Sequence, residues 1–238
     1  MVFGFLRAIV IGFLFTAGQN WTGKILLRGN SLFALGLLWF LGRFSFLENS
    51  LLASAAFGFD MMSDFFVIYY LGNAMYTKGQ ERNQIIVNAY VLLSLFHLAA
   101  GFANFEVIPN ALAIHAVHLS IFVLLLFIII IAGRILPFFT SAQIPGSRIS
   151  NNNFVEKYLL PLTFVFIGSE LLTYWLPIFS QVSALLALTL FLLNTLRLYL
   201  WETWKSVAYP ILFILHISYL WMCLGFLAFA IYRLGYLP

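Results

Sequence analysis

Charge is what this sequence has least of. Only 8% of its 238 residues are Asp, Glu, Lys or Arg, against about 25% in an ordinary soluble domain. A water-facing globule is excluded, because too little polar surface exists to cover one. Cysteine is nearly missing as well. Cys223 stands alone, so no internal disulfide can form. No C-x-x-C, H-E-x-x-H, G-x-x-x-x-G-K-[ST] or strand-following G-x-G-x-x-G occurs, which removes the common zinc, phosphate-loop and dinucleotide signatures. The chain is basic, with a pI near 9.3. Its twelve Lys and Arg are scattered rather than striped, so the charge does not point to nucleic acid.

What is present is apolar length. Hydrophobic residues make up 63% of the chain, in runs of about 20, each enough to cross a bilayer as a helix. The short alternating segments of a membrane β-barrel are absent. The expected fold is all-α, a polytopic transmembrane helix bundle of about eight spans in one domain over residues 1–238. The spans fall near 1–18, 30–47, 51–76, 84–103, 110–136, 156–176, 181–199 and 210–232. The longest connection, "PFFTSAQIPGSRISNNNFVEK" at 137–157, reads as an irregular loop. Lys24, Arg28, Lys78, Arg82, Arg134, Arg148, Lys157, Arg197 and Lys205 then share one side, and Arg7, Arg43 and Arg233 the other. The positive-inside rule makes the first side cytoplasmic and both termini periplasmic.

Ionisable groups inside the spans call for a reason, since each costs at least about 2.5 kcal/mol there. His97 lies late in the fourth span. His115 and His118 open the fifth, three residues apart and so on one helical face. These three share a depth toward the outer side, and His216 lies nearer the cytoplasm. Imidazole suits iron and copper, and a bundle can hold ligands on facing helices. His97, His115, His118 and His216 are therefore candidate metal ligands. The competing reading is a hydrogen bond to a carbonyl or a neighbouring helix. Asp60 and Asp64, four apart, also share a face. At least one is expected to be protonated or paired, as a proton relay or as a packing hydrogen bond. Glu170 poses the same choice. His216 and Cys223 share a face, but about 10 Å of rise separates them, too far for one metal ion.

Three ordered stretches resemble one known family. "MVFGFLRAIVIGFLFTAGQNWTGKILLRG" at 1–29 ends in an Asn-Trp-Thr-Gly turn. "IAGRILPFFT" at 131–140 carries Gly-Arg-x-x-Pro-x-Phe-Thr. "ILFILHISYLWMCLGFLAF" at 211–229 carries Leu-His-x-x-Tyr-x-Trp-x-x-x-Gly. All three resemble the NnrS-like membrane proteins, and the likeness covers nearly the whole chain. The resemblance implies a bacterial inner-membrane protein containing haem and copper, tied to denitrification and to resistance to nitric oxide stress. The matching positions are Asn20, Trp21, Thr22, Gly23, Gly133, Arg134, Pro137, Phe139, Thr140, His216, Tyr219, Trp221 and Gly225, and His97 also matches a family histidine. His97, His118, His216 and Arg134 are the candidate cofactor-binding residues. Arg134 is placed to hold a haem propionate or a lipid phosphate through its planar fork. Family members have about twelve spans, so this chain corresponds to their central portion, and the remaining segments as a separate chain are a possible partner beside the lipid bilayer. Two other readings stand: a proton-coupled transporter or channel using Asp60, Asp64 and Glu170, and an inactive membrane fragment.

Overall fold

The structure, a computed structural model, describes residues 2–46, 50–147, 149–150 and 152–236, with the side chains of 45, 46, 50 and 104 left aside. Arg148, counted above on the cytoplasmic side, lies outside the described residues. Every regular element among them is helical. The eight main helices are α1 (Arg7–Thr22, entered through a π-helical turn Val2–Leu6), α2 (Asn30–Gly42), α3 (Ser50–Met75), α4 (Glu81–Phe102), α5 (Asn110–Gln143), α6 (Asn153–Leu172), α7 (Phe179–Leu200) and α8 (Pro210–Arg233).

Each expected span is a helix, and six are long and apolar enough to cross a membrane: Val2–Thr22, Leu51–Met75, α4, α5, α7 and α8. The protein is a polytopic membrane protein. The other two helices fall short for separate reasons. α2 has 13 residues, about 20 Å of rise against a hydrocarbon core of about 30 Å. α6 carries Glu156, Lys157 and Glu170 within its 20 residues. Large apolar side chains such as Phe33, Leu51, Ile211 and Trp221 point outward, as lipid-facing positions do.

Local chemistry sets the helix ends. Gly23, at φ 67°, closes α1 by donating its N–H to the Gln19 carbonyl, a left-handed cap that glycine reaches without a steric penalty. Asn152 caps α6 by accepting from the Phe154 and Val155 amides, satisfying donors that the first turn otherwise leaves open. Pro210 opens α8, where a missing N–H costs nothing. At the end of α5 the expectation fails. Pro137 lies inside the helix, which runs on to Gln143, so the irregular connection is shorter than 137–157. Proline removes one intrahelical donor, but Leu136 and Thr140 are both buried, and packing carries the helix past it.

The chain forms two compact units, Met1–Ile121 and Phe122–Pro238. In the N-terminal unit, α3 packs against α1, α2 and α4 around Leu14, Val67, Leu71, Met75, Ile86 and Leu93. In the C-terminal unit, α7 packs between α6 and α8, with Leu126, Phe127, Phe166, Leu190, Trp201 and Phe226 inside.

Candidate functional site

Each unit buries one arginine among polar side chains. In the N-terminal unit that residue is Arg7, which has no exposed surface. α3 presents Asp60 and Asp64 one turn apart, α4 presents Tyr90 and His97 two turns apart, and Arg43 follows the last residue of α2. Arg7 Nη1 donates to Asp64 Oδ2 at 2.8 Å, and Arg7 Nη2 donates to Asp60 and, at 3.2 Å, to Ser63 Oγ. Arg43 donates to the other Asp60 oxygen. Tyr90 donates its hydroxyl proton to Asp64 Oδ1 at 2.7 Å. The His97 ring lies between the acids: Nδ1 is 2.7 Å from Asp64 Oδ2, and Nε2 is 3.2 Å from Asp60 Oδ2. Arg7 Nη1 also lies 2.8 Å from His97 Nδ1. Phe3 stacks on the ring at 4.4 Å and Phe57 meets it edge-on.

Two guanidiniums and two carboxylates cancel formally, which is how charge survives burial. Both aspartates are thus paired. Gly42 makes the arrangement possible, because a Cβ there would fall 2.7 Å from the Asp60 carboxyl carbon. A cavity of 320 Å³ reaches the cluster, lined in part by Phe3, Gly4, Arg43, Asp60, His97 and Val117.

In the C-terminal unit the buried arginine is Arg197 of α7. Its Nε and Nη2 donate to the two carboxylate oxygens of Glu156, both at 2.7 Å. Its Nη1 donates to the Ile129 carbonyl at 3.1 Å and to the Tyr219 hydroxyl at 3.4 Å. Tyr219 donates in turn to Asn194. The guanidinium lies over the Trp201 ring at 4.9 Å and against Gly133, where a Cβ would stand 2.0 Å from Nη2. His216, fully buried, is held at both ring nitrogens: Nε2 is 3.0 Å from Thr140 Oγ1 and Nδ1 is 2.9 Å from Thr203 Oγ1. Glu170 pairs separately with Arg233.

The four predicted histidines therefore fall into different settings. His97 and His216 sit in buried networks, and each would have to give up a hydrogen bond to take a metal. His115 is half-buried and His118 is exposed on α5, and Arg134 is half-buried on the same helix. Among the described residues no group of three or more His, Cys, Asp or Glu is arranged to hold a metal ion. Asp60, Asp64 and His97 do meet, but two guanidiniums already occupy the acids.

Sequence reasoning missed Arg7, Arg43 and Arg197, which it read only as topology charges, and also Tyr90, Glu156 and Asn194. The signal was available for Arg7. It interrupts an apolar run as plainly as Asp60 does, and an intramembrane cation needs a counter-ion for the same reason an acid does.

The family model described as "NnrS protein" matches residues 1–238. The chain belongs to the NnrS family. No curated protein and no solved structure matches it. Within this family member, two stretches that resemble the family meet in the C-terminal unit. Gly133 of "GRILPFFT" makes room for Arg197, which touches Tyr219 of "LHISYLW", and Thr140 of the first bonds His216 of the second. The "NWTG" stretch is the C-terminal cap of α1. Thr22 Oγ1 donates to the Gly18 carbonyl, and Gln80 donates to the Trp21 carbonyl.

Proposed function

We propose that this chain is a multi-pass protein of the bacterial inner membrane acting in nitric oxide metabolism, in denitrification or in resistance to nitrosative stress. The observation that carries this reading is the family match over residues 1–238, joined to apolar helices of membrane-spanning length. Both termini face the periplasm in this reading, and a reporter fused after Lys205 reads as cytoplasmic.

Haem and copper belong to the same proposal, and the residues fit them unequally. His115 and His118 fit best, since they lie on one face of α5 and neither is buried. They would contribute two imidazoles to a centre whose other ligands come from a partner, with Arg134 of the same helix as the candidate for a propionate or a lipid phosphate. His97 and His216 fit only after losing a hydrogen bond. A bound haem or copper would supply one-electron redox chemistry and an affinity for nitric oxide. The test is the absorption spectrum and the iron and copper content of the chain purified in mild detergent. A Soret band or bound copper lost in His118→Ala and His115→Ala supports the assignment. A well-folded, metal-free protein overturns the metal part. Unchanged nitric oxide sensitivity of a strain lacking the gene overturns the cellular role.

A further inference from the structure

Where α1 and α3 stop and α4 starts, the N-terminal unit brings two connections together. Residues 23–29, between α1 and α2, have no regular helix. They fold back against the bundle. Leu26 and Leu27 are buried. Leu26 and Met75 of α3 both lie against Gly18 of α1, where a Cβ would stand 2.8 Å from Leu26 Cδ1 and 3.1 Å from Met75 Cε. Gln80, in the turn between α3 and α4, donates its side-chain N–H to the Trp21 carbonyl at 3.4 Å, which ties the second connection to the first. Anchoring the two leucines leaves Lys24, Ile25 and Arg28 exposed, and the turn adds Lys78 and Arg82, also exposed.

Four cations thus stand against one acid, Glu81, whose carboxylate turns back to accept from the Gly79 amide at 3.0 Å. Arg7, Arg43, Arg197, Lys205 and Arg233 each pair with an acid of this chain, and among the described residues Lys24, Arg28 and Lys78 pair with none. Like charges gathered in one place repel, so a surface that keeps them together calls for an anion from outside the chain.

The depth of the surface decides which anion. Lys24 and Lys78 follow the membrane-length helices Val2–Thr22 and Leu51–Met75 by two and three residues, and Arg82 is the second residue of α4. All three therefore sit at headgroup level, where the phosphates of a bilayer are concentrated. Ile25, exposed between the cations, and the neighbouring Trp21 and Tyr76 suit the same level, since aromatic rings gather at the membrane–water boundary. An acidic soluble protein would have to reach down to the lipid plane and cover an apolar side chain. A phospholipid meets the cations with its phosphate and Ile25 with its acyl chain. We infer that this surface binds the headgroups of anionic phospholipids. Arg28 and Arg82 present planar forks to phosphate oxygens, and Lys24 and Lys78 act as point charges. The surface needs neither a bound metal nor a particular orientation in the bilayer, since helix ends set its depth.

The experiment is native mass spectrometry of the full chain in mild detergent, with phosphatidylglycerol or phosphatidylcholine added. Phosphatidylglycerol is expected to bind more tightly, with a preference that weakens as salt rises. One basic side chain near an anionic surface is worth about fivefold in affinity, so Lys24→Gln with Arg28→Gln should weaken phosphatidylglycerol binding about 25-fold. Lys78→Gln with Arg82→Gln should do the same. Lys205→Gln removes a charge already held by Glu202 and should change nothing. If one double variant does not fold, the other carries the test, because the two pairs sit on separate connections. Equal binding of the two lipids by the unaltered chain overturns the proposal. So does a preference that survives both double variants, or an equal loss in Lys205→Gln. Inorganic phosphate that displaces phosphatidylglycerol at equal concentration overturns the lipid as its source. An acidic protein lost from the purified membranes of both double variants, with lipid preference intact, assigns the surface to a soluble partner instead.

Discussion

The two units bury the same pair of residues, one arginine and one histidine, in opposite ways. In the N-terminal unit both belong to one cluster, with full charges on all sides and a cavity at its edge. In the C-terminal unit they are separated. Arg197 is balanced by Glu156, whose side chain is 37% exposed, by a backbone carbonyl and by a phenol, while His216 is held by two neutral hydroxyls. The first arrangement stakes more on charge balance, because removing one partner strands an ion without water. The second spreads its bonds over neutral groups and lets its one acid reach polar surroundings. Such a network fits a fixed joint between helices.

The largest effect that would test this contrast is Arg7→Leu. It leaves Asp60 with Arg43 as its one guanidinium and Asp64 with none, and is expected to cost about 3–5 kcal/mol, seen as lost expression or a collapsed unfolding midpoint in detergent. Arg197→Leu should cost clearly less, because Glu156 can hydrate. Equal losses would break the comparison. Next comes Gly133→Ala, which drives a methyl into the Arg197 guanidinium and should cost about 1–3 kcal/mol. Most of that penalty should vanish in an Arg197→Met background, and an additive double mutant would show that the close contact is not what matters. His216→Leu should cost about 2 kcal/mol by stripping a partner from two threonines, a modest figure because each hydroxyl also lies within hydrogen-bond reach of a backbone carbonyl, Leu136 or Leu198. The smallest effect is expected outside both networks. Asn152→Ala removes the α6 cap for about 1 kcal/mol, measured on the same unfolding curve.

The helices were legible because apolar runs of bilayer length leave few alternatives, and the starts of α5 and α8 fall where the sequence places them. The end of α5 was not, since Pro137 is a local stop signal that burial of Leu136 and Thr140 overrides. For the site, spacing alone showed that Asp60 and Asp64 share a face and need a partner. It could not name Arg7, which lies 57 positions from Asp64, because no periodicity links residues on different helices. The same limit hid the meeting of Gly133 with Arg197. A glycine in an apolar helix gives no sign of what lies against it. The four histidines look alike in sequence and differ in what surrounds them, so their chemistry could be narrowed only once neighbours were known.

The shortness of α2 has a consequence for which changes in chain length this protein tolerates. The helix stops at Gly42, and the next residue is the one that reaches Asp60. Arg43 also donates to the carbonyls of Trp39 and Phe3, covering backbone acceptors that a membrane interior leaves unsolvated. One added turn of four residues would move Arg43 by about 6 Å, uncovering those carbonyls and unpairing the acid together. The connection between α5 and α6 is irregular over its described residues. Among homologues, insertions should accumulate there and be rare between Asn30 and Arg43, so α2 is a ruler whose length is under tighter constraint than its composition.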